Sequence, residues 1–308
     1  MLRAFFVHLS ENPTLRNFAE RSALGRKVSG RFVAGTEIAD AVRATRTINQ
    51  SGMAVTIDNL GENVTNPDEA RHSGQLYQQI LDAIAANQLN ANISLKLTHM
   101  GLDVDEKLAR DIVGGLVARA AAMNPPGFVR VDMEGSPYTQ RTLDFVHELH
   151  RMPGNEKSVG TVIQAYLKRS ESDVEKLLAE GIRIRLCKGA YKEPASIAFA
   201  DKSAVDANYV KLMKILMKSG IYHGLATHDE SIVQQAEAFA RQEKLAPETF
   251  EFQMLYGIRR DLQQRLVREG WRVRVYIPFG TEWYPYFMRR LGERPANVLF
   301  IAKNMLRS

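Results

Sequence analysis

The feature that most constrains this chain is an alternation of two kinds of segment, repeated eight times. Short apolar, β-branched runs stand at 54–60, 92–97, 128–134, 161–166, 183–188, 224–228, 250–255 and 273–278, each followed by a longer amphipathic stretch. After the first run, Asn66-Pro67-Asp68-Glu69 reads as an N-cap with proline at the first helical position, and Leu76, Ile80, Leu81 and Ile84 recur at helical spacing. Further helices are predicted over 106–122, 137–150 (with Ser136 as N-cap), 171–180, 202–219, 231–244, 260–269 and 283–292. Gly181, Gly220 and Gly270 stand where three of them should stop. Eight strand-then-helix units predict an α/β fold with a parallel sheet and helices outside it. Closed into a ring, this is a (β/α)8 barrel of the TIM type, and 308 residues leave room for an N-terminal helical extension. The expected division is a helical segment over 1–50 packing on a catalytic barrel over 51–308. An open doubly wound sheet is the competing topology.

Composition narrows the function. The 41 Lys and Arg against 35 Asp and Glu give a net charge of +6, spread along the chain without zinc-finger or RNA-binding patterns. The charge therefore reads as a solvated surface, and no nucleic-acid partner is expected. Cys187 is the single cysteine, which excludes an intramolecular disulfide and fits a reducing, cytoplasmic setting. No apolar stretch reaches the ~18 residues of a membrane span. The apolar start, 1–10, meets Glu11, Asn12 and Pro13 and has no small-residue cleavage site, so a core-facing helix is expected there.

Barrels of this kind work at the C-terminal ends of their strands. Those ends carry Asp58, Leu60 and Glu62; Lys96 and Thr98; Asp132 and Glu134; Gln164 and Tyr166; Arg185, Lys188 and Tyr191; Thr227, His228 and Asp229; Gln253 and Leu255; and Tyr276. Any one of these reads equally as a hydrogen-bonded rim residue. A whole ring of them is harder to explain by structure alone, because buried charge is costly unless paired or used. The last predicted helix aligns Tyr286, Arg289, Arg290 and Glu293 along one stripe. Two adjacent guanidiniums can grip both oxygens of a carboxylate, although the same spacing also suits a solvated surface helix. Dinucleotide, P-loop, zinc-protease and nucleophile-elbow motifs are absent. His223, His228 and Asp229 lack further ligands at a useful spacing, so no metal is expected. Cys187, with no base partner in view, reads as packing.

Several strand ends together carry a resemblance. They are Ser94-Leu-Lys96-Leu, Val131-Asp132-Met-Glu134, Val162-Ile-Gln164-Ala-Tyr166, Ile184-Arg185-Leu-Cys-Lys188-Gly189-Ala190-Tyr191, Ala226-Thr227-His228, Glu251-Phe252-Gln253 with Leu255-Tyr256-Gly257, Val275-Tyr276-Ile-Pro278 and Tyr286-x-x-Arg289-Arg290-x-x-Glu293. In this order they resemble the monofunctional bacterial proline dehydrogenases, which are FAD-dependent distorted (β/α)8 barrels. The resemblance implies oxidation of L-proline to Δ1-pyrroline-5-carboxylate, the first step of proline catabolism to glutamate. A hydride passes from C5 to flavin N5, and electrons then go to a quinone. It implies that Arg289 and Arg290 hold the substrate carboxylate and that Leu255, Tyr276 and Tyr286 wall the ring. Lys96 and Asp132 would stand near substrate and flavin as the catalytic pair. Asp132, Gln164, Arg185, Lys188, Gly189, Ala190, Thr227, His228 and Glu293 would hold FAD, and Glu62 would pair with Arg185 as a gate. Quinone as acceptor implies peripheral contact with the inner face of the cell membrane. Two departures stand beside the site: Cys187 where the family often has Val, and Lys192 in place of Trp. No aldehyde-dehydrogenase region follows, so the second oxidation is expected elsewhere. The competing function is a metal-dependent barrel hydrolase or lyase acting on a small anionic substrate.

Overall fold

The computed structural model describes residues 30–284 together with Tyr286 and Met288. Its strands are β1 Ala54–Asn59, β2 Ala91–Leu95, β3 Val129–Val131, β4 Val159–Gln164, β5 Arg183–Cys187, β6 His223–Ala226, β7 Phe250–Leu255 and β8 Val273–Phe279. All pair in parallel in chain order, and β8 returns beside β1 with Thr56 opposite Tyr276. That pairing closes the barrel and excludes the open sheet. The helices are α1 Ile38–Gln50, α2 Pro67–Ala86, α3 Glu106–Ala121, α4 Ser136–Arg151, α5 Ser170–Ala179, α6 Lys202–Lys218, α7 Glu230–Gln242 and α8 Arg260–Arg268.

Local chemistry sets the helix starts. Asn66 accepts the Glu69 N–H at 3.0 Å, and Asp105 accepts that of Leu108 at 3.1 Å. The expected cap at Ser136 is corrected: Ser136 is already helical, and the cap position falls on Gly135, which has no side chain to offer. A remote residue takes over. Glu193, in the loop after β5, accepts the Ser136 N–H at 2.7 Å and its hydroxyl at 2.6 Å. A carboxylate has acceptors for both donors, and its charge suits a helix N-terminus.

The two faces of the strands differ in kind. Val55, Ile57, Ile93, Leu95, Val129, Val131, Ile184 and Leu186 are fully buried in one apolar core with Tyr77, Ile80 and Leu81 of α2 and Val113, Leu116 and Val117 of α3. At alternate positions the strands turn polar groups inward. Thr56 donates to Asn92 at 2.6 Å, Arg274 to Glu251 at 2.7 Å, and Gln253 to Glu251 at 2.6 Å. Arg130 donates to the carbonyls of Thr161 and Arg183 at 2.8 and 2.7 Å. Barrels of this type are usually filled with bulky branched side chains, whereas this one holds a hydrogen-bonded, charged interior. Gly160 makes room for it: a β-carbon there would lie 2.3 Å from the Arg183 carbonyl and 3.0 Å from the Arg130 guanidinium.

The eighth outer position is filled from the wrong end of the chain. α1 precedes β1 yet packs against both β8 and β1, where the helix after β8 would ordinarily lie. Its lead-in, residues 34–35, bonds to the end of β8 through Ala34 N–H to Pro278 O (2.9 Å) and Gly280 N–H to Gly35 O (3.0 Å). The chain after β8 is helical at Trp283, Tyr284, Tyr286 and Met288. These residues pack with Phe32, Val33, Leu60 and Ile258 in a second apolar cluster. α1 is the described part of the helical segment expected over 1–50.

Candidate active site

A cavity of about 810 Å³ opens at the C-terminal ends of the strands. Every described residue of the expected site lines it. Glu62 and Lys96 stand on the β1 and β2 sides, Asp132 and Gln164 on β3 and β4, and Arg185, Lys188, Gly189 and Ala190 on β5. Thr227 and His228 follow β6, and Leu255, Tyr276 and Tyr286 form the wall from β7 to the final helix. Arg289, Arg290 and Glu293 lie outside the described residues.

Arg185 is the hub. It is 6% exposed, donates from Nε to Gln253 at 2.5 Å and from Nη1 to Asp132 at 2.7 Å, and lies 5.1 Å from the centre of the Tyr276 ring. Asp132 is fully served by donors: Arg185, the Ser94 hydroxyl at 2.6 Å and the Tyr276 hydroxyl at 2.9 Å. Arg185 thus takes Asp132, not the expected Glu62, as its carboxylate. Three facing strands hold it inside the barrel, while Glu62 is exposed at the mouth. Gln253 is itself fixed by Glu251, which Arg274 and Tyr222 bind at 2.7 Å each. Burial pushes the Glu251 carboxyl up, but those donors outweigh it and hold the group below the usual glutamate value.

Lys96 makes no ion pair within 4.0 Å among the described residues, so its ammonium is open to the cavity. Burial pulls its pKa down, yet the charges of Asp58, Glu62, Asp132 and Glu134 outweigh burial and hold it above the usual lysine value. Lys96 is therefore a stable cation at neutral pH. Lys188 lies between Asp206 at 2.5 Å and Asp229 at 2.8 Å, and its hydrogen bond to Asp229 leads the forces holding that carboxyl at about 2. Gly189 has φ +114°, and a β-carbon on it would fall 2.1 Å from the Tyr166 ring, so glycine alone fits the turn that lets the backbone follow the cavity wall.

The histidines hold backbone. His228 Nε2 accepts the Leu255 N–H at 2.9 Å, and His223 Nδ1 accepts that of Ile184 at 3.0 Å. These lone pairs are in use and cannot bind a metal. Burial pushes the Cys187 thiol up to about 12, which removes it as a nucleophile at neutral pH. Sequence reasoning missed Tyr77 and Asp206, whose helical spacing reads as core or surface, and gave no role to Asp58, Ser94 or Gln253 beyond their place at strand ends.

A flavin suits these residues. Arg185 Nη2 is buried with no hydrogen-bond partner among the described residues, in a group that lines the cavity. A buried donor left open beside a cavity calls for an acceptor from a ligand. Lys96 adds a second open cation, and the electron-rich edge and phosphates of a flavin nucleotide supply acceptors for both.

The family model described as proline dehydrogenase matches residues 41–303. The chain is 41% identical over 308 residues to proline dehydrogenase 1 of Bacillus subtilis (strain 168), covering 100% of both chains. It is 37% identical over 310 residues to proline dehydrogenase of Deinococcus radiodurans, covering 100% of this chain and 98% of that one. The solved structure of proline utilization A from Bdellovibrio bacteriovorus, inactivated by N-propargylglycine, superposes with a TM-score of 0.80 at 25% identity, over 87% of this chain and 32% of that longer one. The chain belongs to the proline dehydrogenase family.

Proposed function

We propose that this protein oxidises L-proline at C5 to Δ1-pyrroline-5-carboxylate, with FAD as hydride acceptor and a quinone as the onward electron acceptor. The observation that carries this reading is the strand-end cavity, which two cationic residues (Arg185 and Lys96) line together with an aromatic and aliphatic wall of Tyr276, Tyr286 and Leu255. A zwitterion with an apolar ring needs that combination. Bound flavin supplies a two-electron acceptor that side chains lack. Asp132, Gln164, Arg185, Lys188, Gly189, Ala190, Thr227 and His228 hold it, with Glu293 completing the set. Arg185 is locked in place for this by Gln253 and Asp132. Lys96 and Tyr276 orient the substrate, whose carboxylate goes to Arg289 and Arg290. Orientation is the protein's main contribution, since hydride transfer needs C5 held in one pose.

Arg185 keeps its Nη1 on Asp132 and its Nε on Gln253, and the gate pairs its remaining nitrogen, Nη2, with Glu62 at the mouth. No helix among the described residues is long and apolar enough to cross a membrane. In this reading quinone is reached by peripheral contact with the inner face of the cell membrane. The metal-hydrolase alternative loses its ligands to the backbone bonds of His223 and His228.

An anaerobic absorbance spectrum taken before and after adding L-proline tests the reading. The expected result is a flavin band near ~450 nm that bleaches. A flavin band that persists moves the substrate elsewhere. A colourless protein that takes up no FAD overturns the proposal.

A further inference from the structure

Proline enters as an ammonium, and its nitrogen must lose a proton before C5 can release a hydride. Resting on the proposed oxidation, we infer that Asp58 is the group that takes this proton. The cavity offers few alternatives. Lys96 is held as a cation and has no free lone pair. Asp132 accepts three hydrogen bonds, one from a guanidinium at 2.7 Å, so its lone pairs are already engaged. Glu62 is exposed at the mouth.

Asp58 differs on each count. It ends the inward face of β1, lines the cavity and is only 1% exposed. Among the described residues it has no ion pair within 4.0 Å. Its donors are two tyrosine hydroxyls that also serve other acceptors. Tyr77, from α2, lies 3.1 Å from Asp58 Oδ1 but 2.7 Å from the Ser94 carbonyl, and Tyr276, from β8, also donates to Asp132 at 2.9 Å. Each hydroxyl has a single proton, so Asp58 is left short of donors. The charged groups facing it are Lys96 from β2 and Asp132 from β3. Burial, the largest influence, raises its carboxyl to about 6. It is thus mostly ionised at neutral pH and basic enough to accept a proton.

The step balances simply. The N–H bond of the ammonium breaks and its proton forms an O–H bond on Asp58. The freed nitrogen lone pair forms the C=N bond as C5 releases its hydride, with both electrons, to the flavin. Asp58 keeps the proton until product leaves.

The test is the rate of anaerobic flavin bleaching at saturating L-proline, followed from pH 5 to 9 in the holoenzyme. The wild type is expected to rise with pH and level off above an apparent pKa near 6. Asp58→Asn keeps an oxygen for both hydroxyls but cannot take a proton. Its rate at pH 7 is expected to fall about 10²–10⁴-fold, the usual range for loss of a general base. The remaining rate should climb tenfold per pH unit without a plateau, because only proline already deprotonated in solution reacts. Binding of cyclopentanecarboxylate, which lacks the amine, should be unchanged. Tyr77→Phe removes a donor to Asp58 and should shift the acid limb to higher pH while keeping the plateau. An Asp58→Asn rate within twofold of wild type, or an acid limb unmoved in either variant, overturns the assignment. Failure of proline to bleach the wild type instead overturns the proposed oxidation itself.

Discussion

A carboxylate buried at a strand end is costly to keep charged unless donors surround it. Asp58, within β1, and Asp132, just beyond β3, both line the cavity, yet one is starved of donors and the other saturated. The difference has a thermodynamic signature separate from catalysis. Burial lifts the Asp58 carboxyl from 3.8 to about 6, so at neutral pH the folded state carries a charge it would rather neutralise. Removing that charge by Asp58→Asn should stabilise the protein at pH 7 by on the order of 2–3 kcal/mol. The raised pKa belongs to the folded state, so the gain is full above about 6 and fades as pH falls towards 3.8, where both states are protonated. Chemical denaturation of both proteins at pH 7.5 and pH 4 measures this, and an equal gain at both would refute it. The sequence made Lys96, Asp132 and Arg185 visible as strand-end residues, because alternation says which residues turn inward. It could not say which inward groups meet. That depends on side-chain reach across the barrel, so the Arg185–Asp132 pair had no signal in the sequence.

Among the elements, strands were the most legible, since a β-branched run between turn residues has few other uses. Helix ends were less so. Ser136 has the residue type of an N-cap, but the cap comes from Glu193, 57 residues on, and no local pattern shows it. Glu193→Ala should leave α4 with two unserved donors and cost about 0.5–2 kcal/mol, as loss of a cap does. It should also free the loop after β5, which carries Gly189 and Ala190. Limited proteolysis would reveal faster cleavage there, and an unchanged pattern would count against the tie. The exchange at the barrel's eighth position was equally hidden. An N-terminal helix and a final helix were both expected, but their spatial roles follow from the pairing of residues 34–35 with the end of β8. That pairing is a long-range event without a local signal. It lets α1 seal the barrel and leaves the final helix to bring Tyr286 over the cavity.

Across the whole molecule, the interior of the barrel is a chain of mutual dependencies. Arg274 balances Glu251, Glu251 fixes Gln253, and Gln253 aims Arg185. Arg274→Met should therefore cost about 3–5 kcal/mol, because it strands a buried carboxylate. Adding Glu251→Gln should recover much of that loss. Urea titration of the single and double variants checks both, and additive losses would argue against coupling. The same interior also shapes how the site answers a change in charge. Water responds by turning its dipoles, and that turning consumes energy. Here the dipoles and ions beneath the cavity are held by one another and by the closed ring of strands. An electron pair shifting above them meets an environment that is already oriented. The inside of the barrel thus acts as a frozen solvent, and its reorganisation energy is small because it has almost nowhere to move.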